Sequence, residues 1–170
     1  MAKPTGKGGS VHATRNDLPS NAKTVSIGVL QACLLDAIDL GNATRQAHWT
    51  VRGPNFIAVH EMLGGFYGDL VTGADDIAER IVQLGGQPDG TSQAVAGGSR
   101  LPAYPADIAA EQAHFAALAD RYAAVGKALR AGIDATNEAG DADTADLLTG
   151  QSRDLDKKLW FLEAHLAPGK

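Results

Sequence analysis

Residues 45–80 read RQAHWTVRGPNFIAVHEMLGGFYGDLVTGADDIAER, and the fold turns on their spacing. Gly53-Pro54 interrupts a helical pattern: glycine stops the segment before it, and proline suits the first turn of the segment after it. Beyond the break, Phe56, Val59, Leu63, Phe66, Leu70, Ala74, Ile77, Ile81 and Leu84 recur at steps of three and four. They form one apolar stripe of about eight turns, which Gly85-Gly86 ends. Upstream, Ile27, Leu30, Leu34 and Ile38 hold the same period from about Ala22 through Gly41 and Arg45 to His48. The stretch is a helical hairpin.

Outward from the hairpin, the connection Gly85–Pro105 is long for a compact domain. Its middle, TSQAVAG, has room for one or two helical turns with Thr91 or Ser92 as cap. A third long helix is predicted from Pro105 or Ala106, burying Ile108, Phe115, Leu118, Tyr122, Val125, Leu129 and Ile133. Gly140 is its expected left-handed cap. A fourth runs from about Asp141 to His165 with Leu148, Leu155, Leu159 and Leu162 inside, and Pro168-Gly169 closes it. No alternating strand pattern and no internal repeat is present. Four long amphipathic helices, with a short extra helix in the long connection between the second and third, describe an all-α, ferritin-like four-helix bundle. Residues 1–20 are expected to be a flexible tail and residues 21–170 the bundle domain.

Composition agrees with one soluble domain: 170 residues, 44% hydrophobic and 21% charged. No stretch is expected to approach the roughly 20 apolar residues of a membrane span. The polar, glycine-rich start lacks the apolar core of a secretory signal. The single cysteine, Cys33, can form no intrachain disulfide, and the chain reads as cytoplasmic. Residues 1–23 carry a net +3 against −5 for the whole chain, which leaves −8 on the body. Such a tail either holds a polyanion such as DNA through Lys3, Lys7 and Arg15 or simply keeps the protein soluble.

Two histidines and two carboxylates in the hairpin have metal-ligand spacing. Asp75 and Glu79 are four apart and share one helix face, a pattern that exposed acids also show. His60 lies on the same helix fifteen residues earlier, roughly 22 Å away along the axis, too far for one ion to touch both. His48 and His60 flank the Gly53-Pro54 break, so an antiparallel hairpin brings their rings level. Both half-sites are used if two chains pair two-fold with antiparallel second helices, giving two identical sites. Mixed imidazole and carboxylate ligation suits iron, zinc or manganese, with iron favoured for redox chemistry.

The segments RQAHWTVRGPNFIAVHE, DDIAERIVQLGG and GDADTADLLTGQSRDLDKKLWFLEAH together closely resemble Dps, the mini-ferritins of starved bacteria. The resemblance covers about residues 16–166. It implies a hollow dodecamer, built from two-fold dimers, that oxidises ferrous iron with hydrogen peroxide, stores the ferric mineral and protects DNA. His48 and His60 match the histidine ligands from one subunit, and Asp75 and Glu79 the carboxylates from the other. Two irons per site are expected, with Zn2+ as a possible substitute. Trp49 lies close to the site by the same resemblance. The family places an aspartate four residues after the second histidine, where this chain has Gly64. The departure implies a weakened second iron position or, at the limit, a DNA-condensing shell with little ferroxidase activity, nucleoid-associated.

Glu138, Asp141, Asp143 and Asp146 cluster where the fourth helix begins. They either cap its positive end or, as the resemblance implies, ring an ion-entry pore on a three-fold axis. Glu111 and His114 have the Glu-x-x-His spacing of di-iron bundles, but no second copy accompanies them, and both are expected at the surface.

Overall fold

The computed structural model describes residues 12–166, and they form a ferritin-like bundle. α1 spans Ser20–Thr50, α2 Phe56–Gln83, α3 Ser92–Gly98, α4 Glu111–Glu138 and α5 Ala142–Leu166. α1 pairs with α2 and α4 with α5, α1 lies along α4, and α3 crosses α1. Among the described residues there is no β-strand, only an isolated parallel bridge between Arg52 and Ala110. Residues 12–19 run back to the end of α2, where the His12 N–H donates to the Gly85 carbonyl.

Helix ends follow the local chemistry. Gly85 and Gly140 close α2 and α4 at φ 90° and 89°, a conformation that L side chains avoid. Thr91 caps α3, its Oγ1 accepting the Ala94 N–H at 3.3 Å. Inside, Leu30, Leu40, Leu63, Ile77, Ile81, Leu118, Leu148 and Leu162 are fully or almost fully buried. Each such side chain contributes roughly 1.5–3 kcal/mol. Tyr122 joins them; its hydroxyl donates at 3.1 Å to Thr44, whose own proton goes to the Leu40 carbonyl. Across the looser α2–α5 seam, the buried Lys158 pairs with Asp69 at 2.9 Å and with Asp154.

Two expectations are corrected here. α1 reaches a mean hydropathy of 1.4 over 18 residues, enough by length and composition to cross a membrane. It is this apolar because it packs against both α2 and α4, burying Ile27, Leu30, Leu34 and Leu40. The third long helix begins at Glu111, not at Pro105 or Ala106. Arg52 donates its N–H to the Ala109 carbonyl at 2.7 Å and accepts from the Glu111 N–H at 3.3 Å. These bonds hold Ala110 extended, so the helix starts only after it.

The α4–α5 corner is held by a buried ion pair. Arg80 of α2 donates to Asp141 at 2.8 Å and to the Thr144 hydroxyl at 2.9 Å, and Asp141 also accepts the Thr144 N–H at 3.0 Å. Burial opposes the Asp141 charge, but Thr144 and Arg80 outweigh it and hold the carboxyl below its usual value of 3.8. A carboxyl held low when folded stabilises at pH values above its unfolded value, and that contribution disappears as pH falls through the folded one. Asp141→Ala therefore strands Arg80 and lowers stability by about 3–5 kcal/mol. Thermal melts should show the loss at pH 7 and a shrinking difference from wild type below pH 3.8.

Candidate metal centre

α1 ends at Thr50 and α2 starts at Phe56, so the chain reverses within five residues. The reversal brings His48 and His60 face to face, with ring centroids 3.7 Å apart and planes inclined by 21°. His48 Nδ1 donates to the His60 carbonyl at 2.7 Å, and His60 Nδ1 donates to the His48 carbonyl at 2.9 Å. A carbonyl can only accept, so each Nδ1 carries a proton, and in the neutral ring the lone pair is on Nε2. That is the form in which imidazole binds metal, oriented by its second nitrogen. Both residues are half-buried.

Asp75 and Glu79 stand exposed, one turn apart, in the other half of α2. Among the described residues no three His, Cys, Asp or Glu side chains come together to hold an ion. The histidine pair and the carboxylate pair are therefore separate within one chain. Both have exposed apolar neighbours: Trp49 and Ile57 at 62% exposure near the histidines, and Val71 and Val82 at 50% and 56% near the carboxylates.

Gly64 lies directly against the histidine pair. A Cβ there would sit 3.2 Å from His48 Cε1 and 3.4 Å from its Nδ1, whereas one on Gly65 would meet nothing within 4 Å. Glycine lets the imidazole lie close to the α2 backbone. It also spends helix stability, since glycine inside a helix costs about 1 kcal/mol relative to alanine. One turn along the same seam, the Arg45 guanidinium lies 4.8 Å from the Trp49 ring centroid and 5.1 Å from that of Tyr67, donating to the Tyr67 hydroxyl at 3.0 Å. Tyr67 carried no signal in the sequence beyond its place one turn after Gly64.

The remaining candidates divide. Glu138, Asp143 and Asp146 are exposed at the α4–α5 corner, but Asp141 is fully buried in its pair with Arg80 and caps α5. Asp141 is thus no free pore carboxylate. Lys3 and Lys7 lie outside the described residues, and Arg15 is exposed.

Glu111 and His114 are also corrected: neither is at the surface, with 6% and 0% exposure. Glu111 accepts the Asn55 backbone N–H at 2.8 Å and the Asn55 side-chain amide at 3.2 Å. His114 Nδ1 accepts from the Tyr104 hydroxyl at 2.7 Å. Its Nε2–H faces the Thr50 hydroxyl at 3.4 Å, whose own proton goes to the Gln46 carbonyl. Burial lowers the His114 pKa and pushes that of Tyr104 up to about 12, so both are neutral at pH 7. The signal for their burial was register: positions 111 and 114 lie four before Phe115 and Leu118 of the α4 core face.

Known proteins share this architecture. The ferritin-like domain family matches residues 27–169. The DNA protection during starvation protein of Agrobacterium fabrum is 54% identical over 155 residues, covering 91% of this chain and 96% of its own. The Dps of Mycobacterium smegmatis superposes with a TM-score of 0.88 at 34% identity, over 92% of this chain and 95% of that one. The Dps of Microbacterium arborescens, solved in a high iron form, superposes with a TM-score of 0.85 at 34% identity, over 92% and 100%. With more than half its own length matched by a relative so close, the chain belongs to the Dps family of ferritin-like DNA-protection proteins.

Proposed function

We propose that two copies of this chain pair two-fold, so that His48 and His60 of one face Asp75 and Glu79 of the other, and that each joint site binds and oxidises ferrous iron. The observation that carries this reading is the histidine pair, locked with both Nδ1 protons spent on backbone and both Nε2 atoms free to bind. Two rings inclined by only 21° cannot both aim in-plane lone pairs at one ion at the usual bond length of about 2.1 Å. Each imidazole therefore addresses its own ion, which favours two adjacent irons over one. The exposed apolar residues beside both half-sites suit burial against a second chain.

Two adjacent ferrous ions each give one electron to hydrogen peroxide, which takes up two protons and leaves as two waters. Paired delivery releases no hydroxyl radical, which is a direct way to protect DNA. The product collects as ferric mineral in a hollow dodecamer, and the protein works in the cytoplasm. Zn2+ fits the same ligands without redox chemistry. Gly64 leaves the second ion one carboxylate short, so it binds more weakly and oxidation slows. Asp143, Asp146 and Glu138 draw ferrous ions toward a three-fold entry. The Agrobacterium relative is named for DNA protection, and DNA contact through the basic tail is a second activity that would serve such a role. A salt-dependent gel shift that disappears on deleting residues 1–15 checks it.

Anaerobic ferrous titration with rapid-mixing absorbance tests the iron chemistry. Wild type should take up to two ions per site, the second weakly. Gly64→Asp should tighten that second step and speed oxidation by about tenfold. Asp143→Asn/Asp146→Asn should keep the stoichiometry and slow loading. No uptake at all would leave a shell without a ferroxidase centre.

A further inference from the structure

We infer that Glu111, from the first turn of α4, is the positioning residue of the histidine half-site: its buried carboxylate clasps the α1–α2 turn and so sets the register in which His48 and His60 meet. Its importance for ion binding rests on the metal reading above, whereas the clasp itself is visible in the imidazole geometry.

α2 begins without a cap of its own, because the Asn55 side chain makes no capping bond to its helix. Glu111 instead holds the N-cap residue itself from across the bundle. One carboxylate oxygen takes the Asn55 N–H at 2.8 Å and the other the Asn55 amide at 3.2 Å. A negative charge at a helix N-terminus is stabilised by the dipole, and here it is nearly removed from water, at 6% exposure. The approach is close enough to dictate the turn sequence: a Cβ on Gly53 would fall 2.5 Å from Glu111 Oε1. Gly53 thus serves the carboxylate, not a left-handed backbone, since positive φ among the described residues occurs only at Gly85 and Gly140.

Three more bonds complete the hold. The Arg52 backbone pairs with Ala109 and Glu111, and His114 reaches Thr50 at 3.4 Å. Thr50 is two residues after His48, and Asn55 is five before His60. The reciprocal imidazole-to-carbonyl bonds exist only in one register of α1 against α2, so whatever fixes the turn fixes them. No hydrogen bond links Glu111 to either histidine, so its action passes through the backbone.

The test uses the full assembled chain, with crystal structures and Co2+ titration, since the Co2+ absorption bands report imidazole coordination. Glu111→Ala should keep its helix content, lose the His48–His60 stack, and bind Co2+ about tenfold more weakly with shifted bands. Asn55→Ala, an exposed substitution that removes only the side-chain half of the clasp, should give a smaller loss in the same direction. Gly53→Ala should disturb the stack in wild type and add nothing in the Glu111→Ala background. A purely structural role would lower the melting temperature and leave the bands unmoved. An intact stack with unchanged Co2+ bands in both Glu111→Ala and Asn55→Ala overturns the inference. If wild-type Co2+ binding is indifferent to His48→Ala, the metal reading fails instead, and loss of the stack in Glu111→Ala still supports the clasp.

Discussion

Two imidazole-to-carbonyl hydrogen bonds, His48 to His60 and His60 to His48, form in a single register of α1 against α2. They tie together the sequence, the turn and the site. Each ring gives its Nδ1 proton to the opposite backbone, and the two rings stack. The geometry needs a chain reversal of only five residues, at Gly53-Pro54. Gly64 leaves the His48 ring room, and a Cβ there would require the ring to give by a few tenths of an ångström.

Buried polar groups do the same work at the other joints. Glu111 and His114 anchor the hairpin turn to α4, Arg80 and Asp141 lock the α4–α5 corner to α2, and Asp36 holds Arg100 of the α3–α4 connection at 2.6 Å. Each of these charges is nearly or partly withdrawn from water, and each has partners that satisfy it. Breaking such a pair is costly because a charge is left stranded, even though the intact pair adds modest net stability. The ties sit where helices meet loops, so they determine how the helices are joined more than whether they form.

Helix existence was legible because apolar residues recur at steps of three and four, and α2 was the most regular case. The separation of the histidine pair from the carboxylate pair was legible because fifteen residues of helix is a fixed length, whatever the rest of the chain does. What periodicity could not show was polar burial. Glu111 and His114 share the register of Phe115 and Leu118, yet their chemistry suggests solvent, and only a partner from the distant turn makes burial tolerable. The same holds for Asp141, whose partner Arg80 is distant in sequence and lies on a face of α2 otherwise filled by Ile77 and Ile81. The start of α4 was missed because Arg52, an exposed turn residue, holds the preceding backbone extended. The apolarity of α1 exceeds a single stripe because Val, Ile and Leu occupy several of its faces, from Val25 to Leu40.

On the proposed reading, the chain carries the histidine half of a ligand set beside the α1–α2 turn and the carboxylate half farther along α2, and function begins only when chains meet. Subunit complementation tests that directly. His48→Ala/His60→Ala subunits and Asp75→Ala/Glu79→Ala subunits, each assembled alone, should bind no ferrous ion at the site. Co-assembled in equal amounts, mixed pairs carry one intact site of two, so about one quarter of all sites should titrate. Mixed shells that bind no more than either parent, or a parent that keeps full binding, would contradict it.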